Sequence, residues 1–188
     1  MTQAEVPLKP VGGVSRYWGT PVTIDELPLA QIISDGLDQI GPDGVAFEVI
    51  TPSSVLVDEA SLKAEFLASL NSLADAQGAP PVENVELEVQ VWRRGHDQPA
   101  TGHPGEFVGW CFLATSPAPA HSESGALAFA DPRAGSAMTA MPGLPWGRQV
   151  MIRPTPGAHA AVPGWLTTSV VPLERGQFAV VAVASSVR

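Results

Sequence analysis

Between Val85 and Val91 every second residue is apolar: Val85, Leu87, Val89 and Val91 alternate with Glu86, Glu88, Gln90 and Trp92. A period of two marks a β-strand that buries one face. From here on the chain is committed to sheet, because short apolar runs bounded by Gly, Pro and Ser follow. The predicted strands are Phe107 to Ala114, Ala126 to Ala130, Gln149 to Arg153, Ala158 to Val162, Thr168 to Val171 and Gln177 to Ala184. A long loop runs from Pro132 to Gly147.

The amino-terminal part follows a different period. Residues 1–15 form a flexible lead-in, broken by Pro7, Pro10, Gly12 and Gly13. Tyr17 to Ile24 is a first strand, with Pro21 near an edge. Pro28 opens a predicted helix in which Leu29, Ile32, Ile33, Leu37 and Ile40 share a stripe, and Gly41-Pro42-Asp43-Gly44 stops it. Val45 to Ile50 is a short strand. Asp58 or Ser61 caps a second helix, with Leu62, Phe66, Leu67, Leu70 and Leu73 at helical spacing. Helices followed by a run of strands predict an α+β domain over residues 16–188, the helices buttressing a β-sandwich or barrel.

A chain of 188 residues fits one domain with a sizeable core. Its net charge of -9, without any run of basic residues, argues against nucleic-acid and anionic-membrane partners. The lone Cys111 lies in an apolar run and cannot form an intrachain disulfide or a multi-cysteine zinc site. Neither a signal peptide nor an apolar span is present, which predicts a cytoplasmic protein.

Four segments in order carry a resemblance. They are Trp18-Gly19-Thr20-Pro21-Val22, His103-Pro104-Gly105-Glu106-Phe107-Val108-Gly109-Trp110, the strand through Ala126 ending in Asp131-Pro132-Arg133, and Pro163-Gly164-Trp165-Leu166 leading to Ser169-Val170-Val171-Pro172. Together they resemble a small bacterial branch of the 2-oxoglutarate–iron(II) oxygenases. That family is built on the double-stranded β-helix, the jelly-roll barrel shared with cupins. The resemblance implies such a barrel, with two or three amino-terminal helices against it.

It also implies where iron and its co-substrate would be held. Iron would take ligands from the step Thr101-Gly102-His103 and from the position of Thr168, and an arginine clamping 2-oxoglutarate would stand near Gln177. Iron(II) favours imidazole and carboxylate, so a threonine hydroxyl is a poor substitute. The expectation is a barrel without cofactors, the alternative being iron(II) and 2-oxoglutarate held by rearranged ligands.

The residues left for chemistry are His103, Glu106 and Arg133 as catalytic candidates, although Arg133 can equally pair with Asp131 to fix the following loop. Trp92, Arg94, Trp110, Phe112, His159, Thr168 and Gln177 are candidates for lining a substrate cavity. Trp92 leads them, because it alternates opposite to Val89 and Val91. Trp165 is read as a turn anchor, Trp146 as part of the same aromatic-rich half, and Glu86 and Glu88 as a solvated strand face. Three functions remain open: a non-redox small-molecule enzyme performing cyclisation, isomerisation or dehydration, a metal-dependent dioxygenase, and a non-catalytic binding or scaffold protein. Jelly-roll chains often form homodimers, so that state is open too.

Overall fold

The structure is a computed structural model, described over residues 14–117, 121–133 and 147–187. Its strands, in chain order, are β1 Val14–Tyr17, β2 Thr20–Glu26, β3 Phe47–Ile50, β4 Asn84–Arg93, β5 Gln98–Thr101, β6 Phe107–Thr115, β7 Leu127–Phe129, β8 Val150–Ile152, β9 Ala158–Pro163, β10 Thr168–Val170 and β11 Phe178–Val187. One α-helix, α1, spans Glu59–Gln77. The strands form a larger sheet ordered β1-β2-β9-β6-β11-β4-β3 and a smaller one ordered β5-β10-β7-β8. Every pairing is antiparallel. The smaller sheet folds over the larger one to make a double-stranded β-helix, as the resemblance implies.

The larger sheet is apolar on both faces. Toward the smaller sheet it turns Trp92, Val108, Trp110, Phe112, Ala160, Val162, Ala179 and Val181, which pack against Leu127, Phe129, Ile152 and Val170. Toward the other side it turns Val89, Val91, Cys111, Leu113, Val180 and Ala182, which α1 and residues 27–56 cover with Leu29, Ile32, Val55, Leu62 and Phe66. The alternation that identifies β4 is therefore reversed relative to a simple barrel strand. Its apolar face meets the helix, and Glu86, Glu88, Gln90 and Trp92 point to the barrel side.

Helix α1 forms where its signals lie. Asp58 accepts from the Ser61 backbone N–H at 2.9 Å, and Gly78 closes the far end in the left-handed conformation at φ 67°. Leu62, Phe66, Leu70 and Leu73 are fully buried beneath it. Gly109 makes room for this contact, since a Cβ there would lie 2.9 Å from the Phe66 ring.

The other predicted helix is absent. Between Pro28 and Ile40 only a short 3-10 turn forms, Asp35–Gln39. Backbone groups here pair across the chain instead: Ser34 N–H donates to Val55 at 2.9 Å, and Val57 N–H donates to Ile32 at 2.9 Å. Leu29, Ile32 and Leu37 are still buried, so the apolar stripe is used without the helix. Further differences appear near the amino terminus. Val14 and Ser15 already belong to β1, and the predicted first strand breaks at Trp18-Gly19, whose φ values of 55° and 85° make a tight hairpin turn. Residues 1–13, Trp146 and most of the loop from Pro132 to Gly147 lie outside the described residues. No described helix is long and apolar enough to cross a membrane.

Candidate functional site

The smaller sheet does not cover the whole larger one. At the end where β4 begins and β11 finishes, the barrel-facing rows of these strands stay open and form the wall of a cavity of about 860 Å³. Glu86, Glu88 and Gln90 come from β4, Val183 and Ser185 from β11, His103 to Glu106 from the loop before β6, and Trp165 from the turn after β9. Ser185 is in register with Glu86 and Val183 with Glu88, so the two rows stand side by side.

Backbone contacts fix the loop that carries His103 and Glu106. His103 N–H donates to Gly164 O at 2.7 Å, and Gly164 N–H donates to Glu106 O at 2.8 Å. A Cβ on Gly164 would collide with the Gly105 carbonyl oxygen, so the close approach requires glycine. Within the loop the Gly105 N–H donates to His103 Nδ1 at 3.0 Å. Neutral His103 therefore carries its proton on Nε2 and is a hydrogen-bond donor there. Burial holds its pKa below the ordinary 6.5, against an upward pull from Glu88.

A short relay joins the barrel interior to the cavity. The Trp92 indole N–H donates to Gln90 Oε1 at 2.8 Å, and Gln90 Nε2 donates to Glu88 Oε1 at 2.6 Å. Trp92 faces the barrel as expected but is fully buried, edge-on to Phe112 at 5.9 Å. Trp110 packs against Phe129 at 6.1 Å and is also buried. Trp92, Trp110 and Phe112, expected to line a substrate cavity, are buried in the core between the two sheets and do not line the cavity at the open end. Trp165, read as a turn anchor, is instead 58% exposed at the cavity rim.

The remaining candidates lie elsewhere. His159 is on the opposite face of β9 from the barrel. Its Nδ1 donates to Trp110 O at 3.0 Å, and its Nε2 accepts from Ser69 Oγ of α1 at 2.8 Å. Thr168 faces inward but is buried, 3.4 Å from the Thr101 carbonyl, and does not line the cavity. Gln177 accepts from Ser116 Oγ at 2.8 Å, at the opposite end of β11 from Ser185. Eight residue steps along the chain separate the two, about 26 Å in extended conformation. Arg94 is exposed at that same far end, beside Asp43 and Arg175. Arg133 forks onto Asp131, at 2.9 Å from Nε and 2.6 Å from Nη2, and holds the Asp131 carboxyl at a pKa of about 2. The ion pair with Asp131, one of the two readings of Arg133, is the one formed in the structure.

Of the catalytic candidates, then, His103 and Glu106 come together and Arg133 does not join them. Glu86, Glu88 and Gln90 were missed as site residues, although their parity with Trp92 along β4 was available as a signal. Ser185 and the exposure of Trp165 left no such trace.

The positions that the resemblance assigns to metal ligands do adjoin. Thr168 is in register with Thr101, across β10 and β5. Both offer hydroxyls, and the step Thr101-Gly102-His103 contributes one imidazole, that of His103. Among the described residues no three His, Cys, Asp or Glu side chains cluster so as to hold a metal ion. This donor set does not fit iron(II).

No family model matches the chain, and no curated protein does. Among solved structures it is similar to a prolyl-4-hydroxylase from Pseudomonas putida, at 15% identity and a TM-score of 0.56 over 90% of this chain and 94% of that one. It is also similar to SnoK, a non-heme α-ketoglutarate-dependent carbocyclase from nogalamycin biosynthesis, at 15% identity and a TM-score of 0.45 over 81% and 70% of the two chains. A dioxygenase for auxin oxidation in rice matches at 12% identity and a TM-score of 0.45, over 66% of this chain and 43% of that one. The hydroxylase likeness shows an oxygenase-like fold, and the fold alone.

Proposed function

We propose that this chain is a cytoplasmic small-molecule enzyme on an oxygenase-like barrel, working without iron or 2-oxoglutarate at the cavity lined by His103 and Glu106. The observation that carries the reading is the barrel interior: Trp92, Trp110, Phe112 and Phe129 pack it solid, while the mouth stays open and polar. A substrate held at the mouth meets a proton donor, His103 Nε2–H, and a carboxylate, Glu106. Such a pair suits non-redox steps such as isomerisation, dehydration or cyclisation. His103 steadies a carbonyl oxygen as charge builds on it, and Glu106 removes a proton from the neighbouring carbon and returns it. The fixed loop contributes by holding both groups ready.

The test combines two measurements on the full chain. Metal content and conversion of 2-oxoglutarate to succinate are measured together, and neither is expected. Candidate substrates are then screened by thermal shift and turnover, with His103→Ala and Glu106→Gln beside the wild type. Loss of turnover by about 100-fold or more in either variant, with unchanged melting, is the expected result. Succinate formed with bound metal would restore the dioxygenase reading. Binding without turnover would favour a non-catalytic binding protein.

A further inference from the structure

The larger sheet ends at β3, and this edge is unguarded. Arg93 N–H donates to Ala46 O at 2.8 Å, and bonded pairs alternate along an antiparallel ladder. Ala46, Glu48 and Ile50 therefore turn their backbone groups toward β4, while those of Phe47 and Val49 point outward, where no described strand meets them. The side chains on that row are apolar and exposed, Val45 at 61%, Phe47 at 43% and Val49 at 52%. Edges normally carry a charge, a proline or too little length for other strands to pair with them. The other three sheet edges do: β1 has Arg16, β5 has Pro99, and β8 is three residues long and followed by Arg153. β3 has a single charge, Glu48, and Arg93 pairs with it at 2.8 Å.

We propose that β3 pairs antiparallel with β3 of a second copy, about a two-fold axis beside Phe47. Unmet backbone groups along an edge call for a strand, and the charge pattern makes that strand the chain's own. With Phe47 opposite the partner's Phe47, Val45 opposes the partner's Val49, and Glu48 opposes the partner's Ala46. Ala46 then stands between Arg93 and the partner's Glu48 on one face, and its small side chain leaves the guanidinium room to reach across. Two glutamates and two arginines close a neutral set, in molecules that each carry -9. Sliding the strands by two residues would set Glu48 directly against the partner's Glu48, which is unfavourable. The apolar side chains covered are Val45, Phe47 and Val49 from each copy, short of a standard interface. The association is accordingly weak, with a dissociation constant on the order of 10–100 µM. None of the three lines the mouth cavity, so the pairing stands apart from the proposed chemistry.

The test is sedimentation equilibrium of the full chain from about 5 µM to about 1 mM, a range that brackets this constant. The mass is expected to rise from monomer toward dimer and stop there, since the two-fold pairing uses up both edges. Phe47→Lys and Val49→Lys should each weaken association by about tenfold or more, with circular dichroism confirming the fold. Two cysteine variants locate the contact, because the native Cys111 is buried. Paired Cα atoms lie about 5.5 Å apart, so Phe47→Cys should cross-link two copies under mild oxidation. Position 49 stands about 13 Å along the strand from its counterpart, so Val49→Cys should not. A monomer at the highest concentration overturns the inference, as does open-ended association. A dimer indifferent to both lysine variants, or one that cross-links equally through positions 47 and 49, places the contact elsewhere and overturns it too. Should a lysine variant fail to fold, hydrogen exchange of the wild type decides: the Phe47 amide slows as the dimer forms, and an unchanged rate overturns the pairing.

Discussion

His159 is wholly buried between β9 and α1, with Phe66 edge-on to its ring at 5.1 Å. Burial drives its pKa from 6.5 down to about 4, against upward pulls from the Trp110 carbonyl and Asp25. The unfolded chain takes up this proton below pH 6.5, whereas the folded chain resists until about pH 4. Stability from this group is therefore present above pH 6.5 and is lost as pH falls to about 4, by at most about 3 kcal/mol. Urea unfolding across that range should show the loss in the wild type and a flatter profile in His159→Gln. An unchanged slope in the variant would remove His159 from the account. Gly164 makes a second prediction at this scale. Because a Cβ meets backbone atoms that cannot move aside, Gly164→Ala should cost about 1–3 kcal/mol and displace the His103 loop, seen as a lower melting temperature and weakened ligand binding.

Among the elements, α1 stands on a flat site prepared by Gly109 and filled by Phe66, which is fully buried. Phe66→Ala should cost about 3–5 kcal/mol, measured by denaturant unfolding, and a cost under 1 kcal/mol would mean that the site collapses around the gap. The helix and the long strands were legible from the sequence because a cap, a glycine stop and an apolar period agree at each of them. Where such signals conflicted, the sequence misled. The stripe from Leu29 to Ile40 carries helical spacing, but its backbone bonds go to residues 55–57. β5, Gln98–Thr101, has no buried residue and so no alternation to find. The site was legible in part for the same reason. His103 and Glu106 lie in a segment with its own pattern, while His159 and the aromatics of β4 and β6 needed the sheet's two faces to be told apart. A single strand cannot report which of its faces meets a helix and which a second sheet.

For the molecule as a whole, three layers share one central sheet, and Cys111 lies inside it. Burial pushes the Cys111 thiol up to about 12, so almost none of it is thiolate in the folded state. A thiol reagent should label the native protein only through global unfolding, with a rate that climbs with urea as the unfolding rate does. Rapid labelling without denaturant would show that the sheet opens locally. The order of the strands has a consequence for synthesis. β11 is the last of the described strands, yet it lies in the middle of the larger sheet, joined to β6 on one side and β4 on the other. Until residues 178–187 leave the ribosome, both neighbours present bare, apolar edges, which invite pairing with other chains. A nascent chain halted before Phe178 has the other described strands of the larger sheet and no keystone, and it would need a chaperone's protection until β11 slides into place.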